Sequence, residues 1–183
     1  MLSLNLNPLP TLTTERLVLR ELRVEDAPAI FNLRSDPEVM RYVHRPQAVT
    51  IDDAIAFITR VQDGQRANTC AQWAMTLKGT DHCIGIIGPW RIVPEHHRGE
   101  LGYMLARDHW GQRLISEAIV SVVDHSFRVL GLHSLEAWTE SENAASRRAL
   151  EKNGFVREAC FKENILREGA FLDSVVYGLL APQ

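Results

Sequence analysis

Residues Glu100 to Ala118 read ELGYMLARDHWGQRLISEA. Leu101 to Ala106 is an apolar run of strand type, and a short polar turn leads from it into a glycine-containing segment that opens a long amphipathic helix. A helix start presents backbone N–H groups with no intrahelical acceptor, and the helix dipole adds partial positive charge there. Such an end is a ready seat for a phosphate or pyrophosphate. Glu100 stands at the near end of the strand that feeds it. A carboxylate beside an anion cradle implies an enzyme that holds a phosphorylated cofactor and removes a proton nearby.

Outward from this stretch the chain reads as a mixed α/β (α+β) fold. Arg16 to Leu22 alternates apolar and polar residues and is expected to form a half-buried strand, after an irregular lead-in over residues 1–14. Asp26 to Arg34 and the segment after Ser35 read as short helices with proline in the first turn. Thr50 with Asp53 resembles a capping box, and Ile51, Ala54, Ile55, Ile58 and Val61 supply an apolar stripe that Gly64 is expected to end. Strands are expected at Thr69–Leu77, Cys83–Val93 and Gly99–Ala106, then a helix from about Trp110 to Leu130 and a strand at Ser134–Thr139. A helix from Asn143 to Asn153, closed by Gly154, precedes a final hairpin of Phe155–Asn164 and Ala170–Leu180 around Arg167-Glu168-Gly169. With no repeat or linker, residues 1–183 are expected to form a single domain.

Composition narrows the class. Apolar residues make up 45% and charged residues 23% of the 183 positions, the balance of a chain that closes a substantial core. A formal net charge of −3 argues against direct nucleic-acid binding, which calls for a basic face, and suits a cationic acceptor. Cys70, Cys83 and Cys160 follow no close spacing and stand among apolar residues, so buried thiols in a reducing compartment are expected, and no metal. No apolar run approaches the ~20 residues of a membrane span. The first residues lack the pattern of a secretory signal. The cytoplasm is the expected location, with no membrane partner, and a homodimer is compatible with the chain.

Several segments in order resemble the GNAT N-acetyltransferase superfamily, and among its branches the RimJ/RimL-type, ribosomal-protein N-acetyltransferase-like one. They are TERLVLREL with DAPAIF, SDPEVMRY, GELGYML with HWGQRLISEA, NAASRRALEKNGF and GAFLDSVVYGLL. The resemblance implies a mostly antiparallel sheet flanked by helices and splayed between the family's fourth and fifth strands. Acetyl-CoA would enter the split as acetyl donor, with its pyrophosphate on the following helix.

On this resemblance Trp110, Gly111, Gln112, Arg113, Leu114 and Ile115 form the pyrophosphate loop. The branch often reads W-G-x-G-x-x-x-E-A there, so Arg113 stands where a glycine is usual and Ile115 where a small residue is usual. Arg113 would either crowd the pyrophosphate or swing outward and bond it; the alternative reading is an ordinary packed helix. Glu100 falls where the branch has its glutamate, and would serve as general base. An amine of pKa about 8 to 10 is mostly protonated at neutral pH, and a base that removes its proton contributes roughly 10²–10⁴-fold. The alternative is a solvated or salt-bridged strand-end glutamate, with Arg98 as one candidate partner. The backbone of Tyr103, Met104 and Leu105 would pair with the pantetheine arm and donate to the thioester carbonyl, their side chains being core. Asn143 would contact the pantetheine end. Ser146 would lie near the sulfur and protonate the departing thiolate, or else bond back to its own helix. Met40, Tyr42, Trp90 and Phe171 are candidates to line the acceptor pocket. The expected reaction is direct attack of a primary amine, either a protein or peptide N-terminal α-amine or a small molecule such as a polyamine, an antibiotic or an amino acid. A non-catalytic acyl-CoA-binding domain is the rival reading.

Overall fold

The computed structural model describes residues 2, 4–167 and 169–182, so Met1 and Ser3 of the expected lead-in and Glu168 of the expected final turn lie outside it. Strands β1 (Leu12–Thr13), β2 (Leu17–Glu21), β3 (Trp73–Leu77), β4 (Cys83–Val93), β5 (Arg98–Leu105), β6 (Ser134–Glu140), β7 (Val156–Arg167) and β8 (Ala170–Leu180) form one sheet in the order β1-β2-β3-β4-β5-β6-β8-β7. Every neighbouring pair is antiparallel except β5 with β6. Helices α1 (Ala27–Ser35), α2 (Pro37–Met40), α3 (Ile51–Arg66), α4 (Leu114–Arg128) and α5 (Ala144–Lys152) flank the sheet.

Strand alternation sorts the core into two layers. Trp73, Met75, Ile87, Leu101 and Leu105 pack with Leu114, Ile119, Val122 and Leu150 of α4 and α5. Ala74, Cys83 and Ile86 pack on the opposite face against Ile30, Leu33, Ala54, Ile58 and Val61 of α1 and α3. Fully burying a branched side chain of this kind contributes about 1.5–3 kcal/mol.

Several boundaries differ from the sequence reading, each for a local reason. The lead-in is not wholly irregular, because Leu12–Thr13 pairs with β2 and Leu6 and Leu9 are buried in the main core. Helix α3 runs through Gly64 to Arg66, since the glycine faces Cys70 so closely that an added Cβ would stand 2.8 Å from the Cys70 Cβ. Helix α4 begins at Leu114 rather than Trp110, because Arg107–His109 forms a separate 3₁₀ turn and Arg113 is left-handed. Helix α5 starts with the Asn143 side chain accepting from Ser146 N–H at 3.1 Å. It ends where Gly154 turns left-handed (φ 85°) and Phe155 N–H donates to Leu150 O. Cys70 and Cys83 are buried as expected, but Cys160 is exposed, because β7 is an edge strand with an open outer face.

Candidate active site

The parallel ladder between β5 and β6 is short. It pairs Arg98 with Ser134, Gly99 with Leu135 and Glu100 with Glu136, and goes no further, although β5 continues to Leu105 and β6 to Glu140. The sheet therefore splays immediately after Glu100. The split falls between the fifth and sixth strands of this chain because the two-residue β1 adds one strand ahead of the expected set.

The free edge of β5 follows from its register with β4. Ala106 N–H donates to Ile84 O at 2.8 Å, and Met104 is opposite Ile86 two residues back. Antiparallel alternation then turns the backbone groups of Met104 toward β4 and those of Tyr103 and Leu105 toward the split. Of the three strand residues expected to meet a pantetheine arm, Tyr103 and Leu105 thus have their backbone groups on the open edge, and those of Met104 face β4. The Leu105 carbonyl already accepts the Trp110 indole N–H at 2.8 Å, which anchors the loop that follows.

That loop has the shape of an anion seat. Gly111 (φ 73°) and Arg113 (φ 63°) are both left-handed, and no side chain caps the start of α4. The amides of its first turn therefore have no acceptor in the helix. Arg113 adopts the backbone conformation for which glycine is the usual residue, and its side chain is exposed rather than folded into the loop. Glu117, in the first helical turn, accepts from Thr14 Oγ1, Arg16 N–H and the Arg16 guanidinium, and clamps the helix start to the beginning of β2. Arg16 also donates to Gln112 O at 3.0 Å. Leu114 is buried in the core and Ile115 packs against it, so these positions hold the loop from beneath.

Glu100 is half-buried on the α1–α3 face of the sheet. Burial pushes its carboxyl above the ordinary carboxylate range, and its neighbour Glu136 adds to the shift. The Trp90 side chain, Arg91 and Arg45 act in the opposite sense. Arg98 is not its partner: the guanidinium lies 3.8 Å from Glu136 instead. Trp90 reaches Glu100 through a β-bulge. Pro89 is opposite Leu101 and Arg91 opposite Glu100, so Trp90 has no partner, and Gly102 leaves room for its ring.

Ser146 and Tyr103 meet on the opposite face. The Tyr103 hydroxyl is 2.8 Å from Ser146 Oγ, and burial pushes the Tyr103 hydroxyl up to about 12. The Ser146 hydroxyl is thus turned to the strand rather than to its own helix, and the Tyr103 side chain is more than core packing. Residues 100 and 103 of one strand point to opposite faces, so the carboxylate and the hydroxyl pair flank the split from its two sides.

A cavity of about 440 Å³ opens at Glu100 and is lined also by Tyr42, His44, Trp138, Asn164 and Ser174. Of the expected acceptor residues, Tyr42 lines it and Trp90, 38% exposed, stands beside Glu100. Met40 is buried in the core, and Phe171 is 64% exposed and outside the lining. A larger cavity of about 960 Å³, between α1–α2 and residues 106–110, contains none of Glu100, Asn143 and Ser146. The sequence reading missed Glu140, which is 1% exposed. Its Oε1 is 2.5 Å from the Arg167 guanidinium and 3.3 Å from His44 Nε2, while its Oε2 and the neighbouring Ser174 Oγ have no hydrogen-bond partner. Arg167 donates also to Arg41 O, tying the β7–β8 hairpin to the segment after α2. No sequence spacing marks these residues, because β6, the hairpin and the Tyr42 segment meet only in the fold. Among the described residues no group of His, Cys, Asp and Glu is placed to hold a metal ion, and no helix is long and apolar enough to cross a membrane.

The acetyltransferase (GNAT) domain model matches residues 16–156. The chain is 33% identical over 174 residues to the uncharacterized N-acetyltransferase YoaA of Bacillus subtilis, covering 95% of this chain and 98% of that one. A GNAT-family acetyltransferase from Bacillus anthracis has a similar crystal structure, with a TM-score of 0.83, 26% identity and coverage of 93% and 98%. A RimL ribosomal L7/L12 α-N-protein acetyltransferase in complex with coenzyme A shares the fold, with a TM-score of 0.86, 18% identity and coverage of 93% and 98%.

Proposed function

Since the chain belongs to the GNAT acetyltransferase family and is an acetyl-CoA-dependent N-acetyltransferase, we propose that it acetylates a primary α-amine by direct attack, with Glu100 as the base, in the manner of the RimJ/RimL-type branch. The observation that carries this reading is the end of the β5–β6 ladder at Glu100, which leaves the Tyr103 backbone and the Leu105 N–H open between a half-buried carboxylate and the Tyr103–Ser146 hydroxyl pair.

The residues fit the cosubstrate. The uncapped amides at the start of α4, with Gly111 and Arg113 left-handed, offer donors to a pyrophosphate, and the exposed Arg113 guanidinium adds a charge-assisted one. The open edge of β5 offers N–H groups to an amide arm and to the thioester carbonyl, and one well-placed donor of that kind is worth ~3–4 kcal/mol in the transition state. Acetyl-CoA supplies the activated acyl group.

The acceptor enters from the α1–α3 face through the cavity of about 440 Å³. Glu100 takes the proton from the ammonium, the freed nitrogen bonds to the acyl carbon as the carbon–sulfur bond breaks, and the second proton that the nitrogen sheds passes to the departing thiolate to give the free thiol. The Ser146 side leaves a hydroxyl near the departing thiolate. A thiol of pKa about 8.5 needs little help to leave, so Ser146 contributes less than Glu100. Burial of the carboxylate serves this chemistry, because a base nearer neutrality takes the proton of an amine more effectively than an ordinary one.

Thiol release from acetyl-CoA, measured across N-terminal peptides and small amines, tests the reading. Turnover by the wild type and a loss of roughly 10²-fold or more in Glu100→Gln, with coenzyme A still bound, is the expected result. Unchanged turnover in that variant removes Glu100 from the mechanism.

A further inference from the structure

Although the overall charge is −3, arginines gather beside Glu100, at one end of the cavity. The Arg45 guanidinium carbon lies 5.7 Å from the Trp90 ring centre, and that of Arg41 lies 5.4 Å from the ring centre of Tyr42, which lines the cavity. Arg91 is exposed and directly opposite Glu100 in the β4–β5 register. Among the described residues neither Arg45 nor Arg91 takes part in an ion pair. Arg34, stacked on Phe57, has its Nε unpartnered; burial acts on it first, then the like charges of Arg60 and Arg45, with Asp53 opposing them.

Arg45 and Arg91 both act on the Glu100 carboxylate without forming an ion pair with it, and an arriving anion relieves the mutual repulsion of guanidinium groups held in this way. Arginine is also the side chain whose planar fork matches a carboxylate. The stacking of Arg45 on Trp90 holds one such fork beside the carboxylate of Glu100. The mouth therefore presents a negative group for an ammonium and positive groups around it. A polyamine would place its second cation against Arg41, Arg45 and Arg91.

We infer that the acceptor is an amine that carries carboxylates close to it, its ammonium turned to Glu100 and its carboxylates to Arg45 and Arg91. An acidic peptide N-terminus and a free acidic amino acid share this chemistry. The inference rests on the reading of Glu100 as the base that receives the amine.

Binding and turnover test the two separately, on the full chain loaded with coenzyme A or supplied with acetyl-CoA. The probes are a peptide with Ser-Glu-Glu at its N-terminus, its Ser-Lys-Lys twin, free glutamate and spermidine. In calorimetry the acidic peptide or glutamate is expected to bind at least about tenfold more tightly than the Lys twin and spermidine, with the gap narrowing at high salt. Glutamate binding as tightly as the peptide identifies an amino-acid acceptor, and peptide binding alone identifies a polypeptide; both support the inference. The surface double variant Arg45→Glu, Arg91→Glu is expected to reverse the order, and Arg45→Gln to raise KM several-fold with little change in kcat. Equal or tighter binding of the Lys twin or spermidine, or a preference that survives the charge reversal, overturns the inference. Selective binding of the acidic probes without thiol release upholds it while defeating the catalytic reading beneath it.

Discussion

The Tyr103 hydroxyl lies 2.8 Å from Ser146 Oγ, and so joins the strand on one side of the split to the helix on the other. Tyr103 sits in β5 and Ser146 in the first turn of α5, where Asn143 accepts the Ser146 N–H. The contact ties the helix cap to the strand whose free edge faces the split.

Removing either hydroxyl leaves the other part-buried with little to bond. Ser146→Ala and Tyr103→Phe are each expected to cost about 1–3 kcal/mol in a denaturant melt. The double variant should lose clearly less than the sum, since both changes delete one shared interaction. In turnover assays Ser146→Ala is expected to fall less than Glu100→Gln, and an equal or larger fall would assign the serine the greater part of the chemistry.

Activity and stability should respond to Glu100 in opposite directions with pH. The base works when deprotonated, so kcat/KM is expected to rise with pH through a carboxyl pKa above the ordinary range, the shift coming first from burial and then from Glu136. A group whose pKa is raised by folding binds its proton more tightly in the native state. The stability it contributes is present below the unfolded value and is lost as pH rises through the folded one. Glu100→Gln, which cannot ionise, should therefore melt no lower than wild type at pH 8 while its turnover collapses. A lower melting temperature in this variant would mean that the carboxylate is a structural partner.

Arg113 separates backbone cost from ligand contact. A non-glycine residue in the left-handed region costs about 1–2 kcal/mol, and Arg113 has φ 63°. Arg113→Gly is expected to raise the melting temperature by about 2–4 °C. Affinity for coenzyme A should nevertheless fall several-fold, and lose part of its salt dependence, because an exposed guanidinium next to the uncapped amides is gone. An unchanged affinity would place the side chain outside the phosphate seat.

A buried ion pair secures the entry to α1 on the face of the sheet that carries Glu100. Arg20 donates to both Asp26 oxygens at 2.8 and 2.7 Å, with side chains 7% and 6% exposed. Asp26 also accepts Arg23 N–H at 2.9 Å, which shapes the entry to α1. Asp26→Ala leaves a guanidinium in the interior with only the exposed Asp81 as carboxylate partner. A loss of about 3–5 kcal/mol is expected in urea unfolding, and a loss below about 1 kcal/mol would show that water replaces the partner.

Much of the frame was legible in the chain. The strand and loop of residues 100–118 follow from apolar runs, a turn and a helical stripe, all encoded within a few residues. The Asn143 cap and the Gly154 stop were legible for the same reason, since capping groups act on amides and carbonyls close in sequence. The position of Glu100 at the near end of its strand was legible as well. Its partnership with Glu136 and Trp90 was not, because the one comes from strand register and the other from a bulge.

The acceptor side shows the limit most clearly. Tyr42, Glu100, Trp138 and Ser174 share a cavity although they come from distant segments, and Met40, two residues from Tyr42, is buried elsewhere. Arg45 and Arg91 look like ordinary surface charges in a mildly acidic chain. By itself, then, the sequence determined most of the secondary elements, the glycine-containing turn ahead of α4 and the place of Glu100 at the near end of its strand, because each depends on short-range backbone geometry or on side-chain chemistry. The tertiary structure alone decided where the sheet parts, which hydroxyl Ser146 meets and which charged groups stand near Glu100. Those depend on which distant residues the packed core brings within a few ångströms of each other.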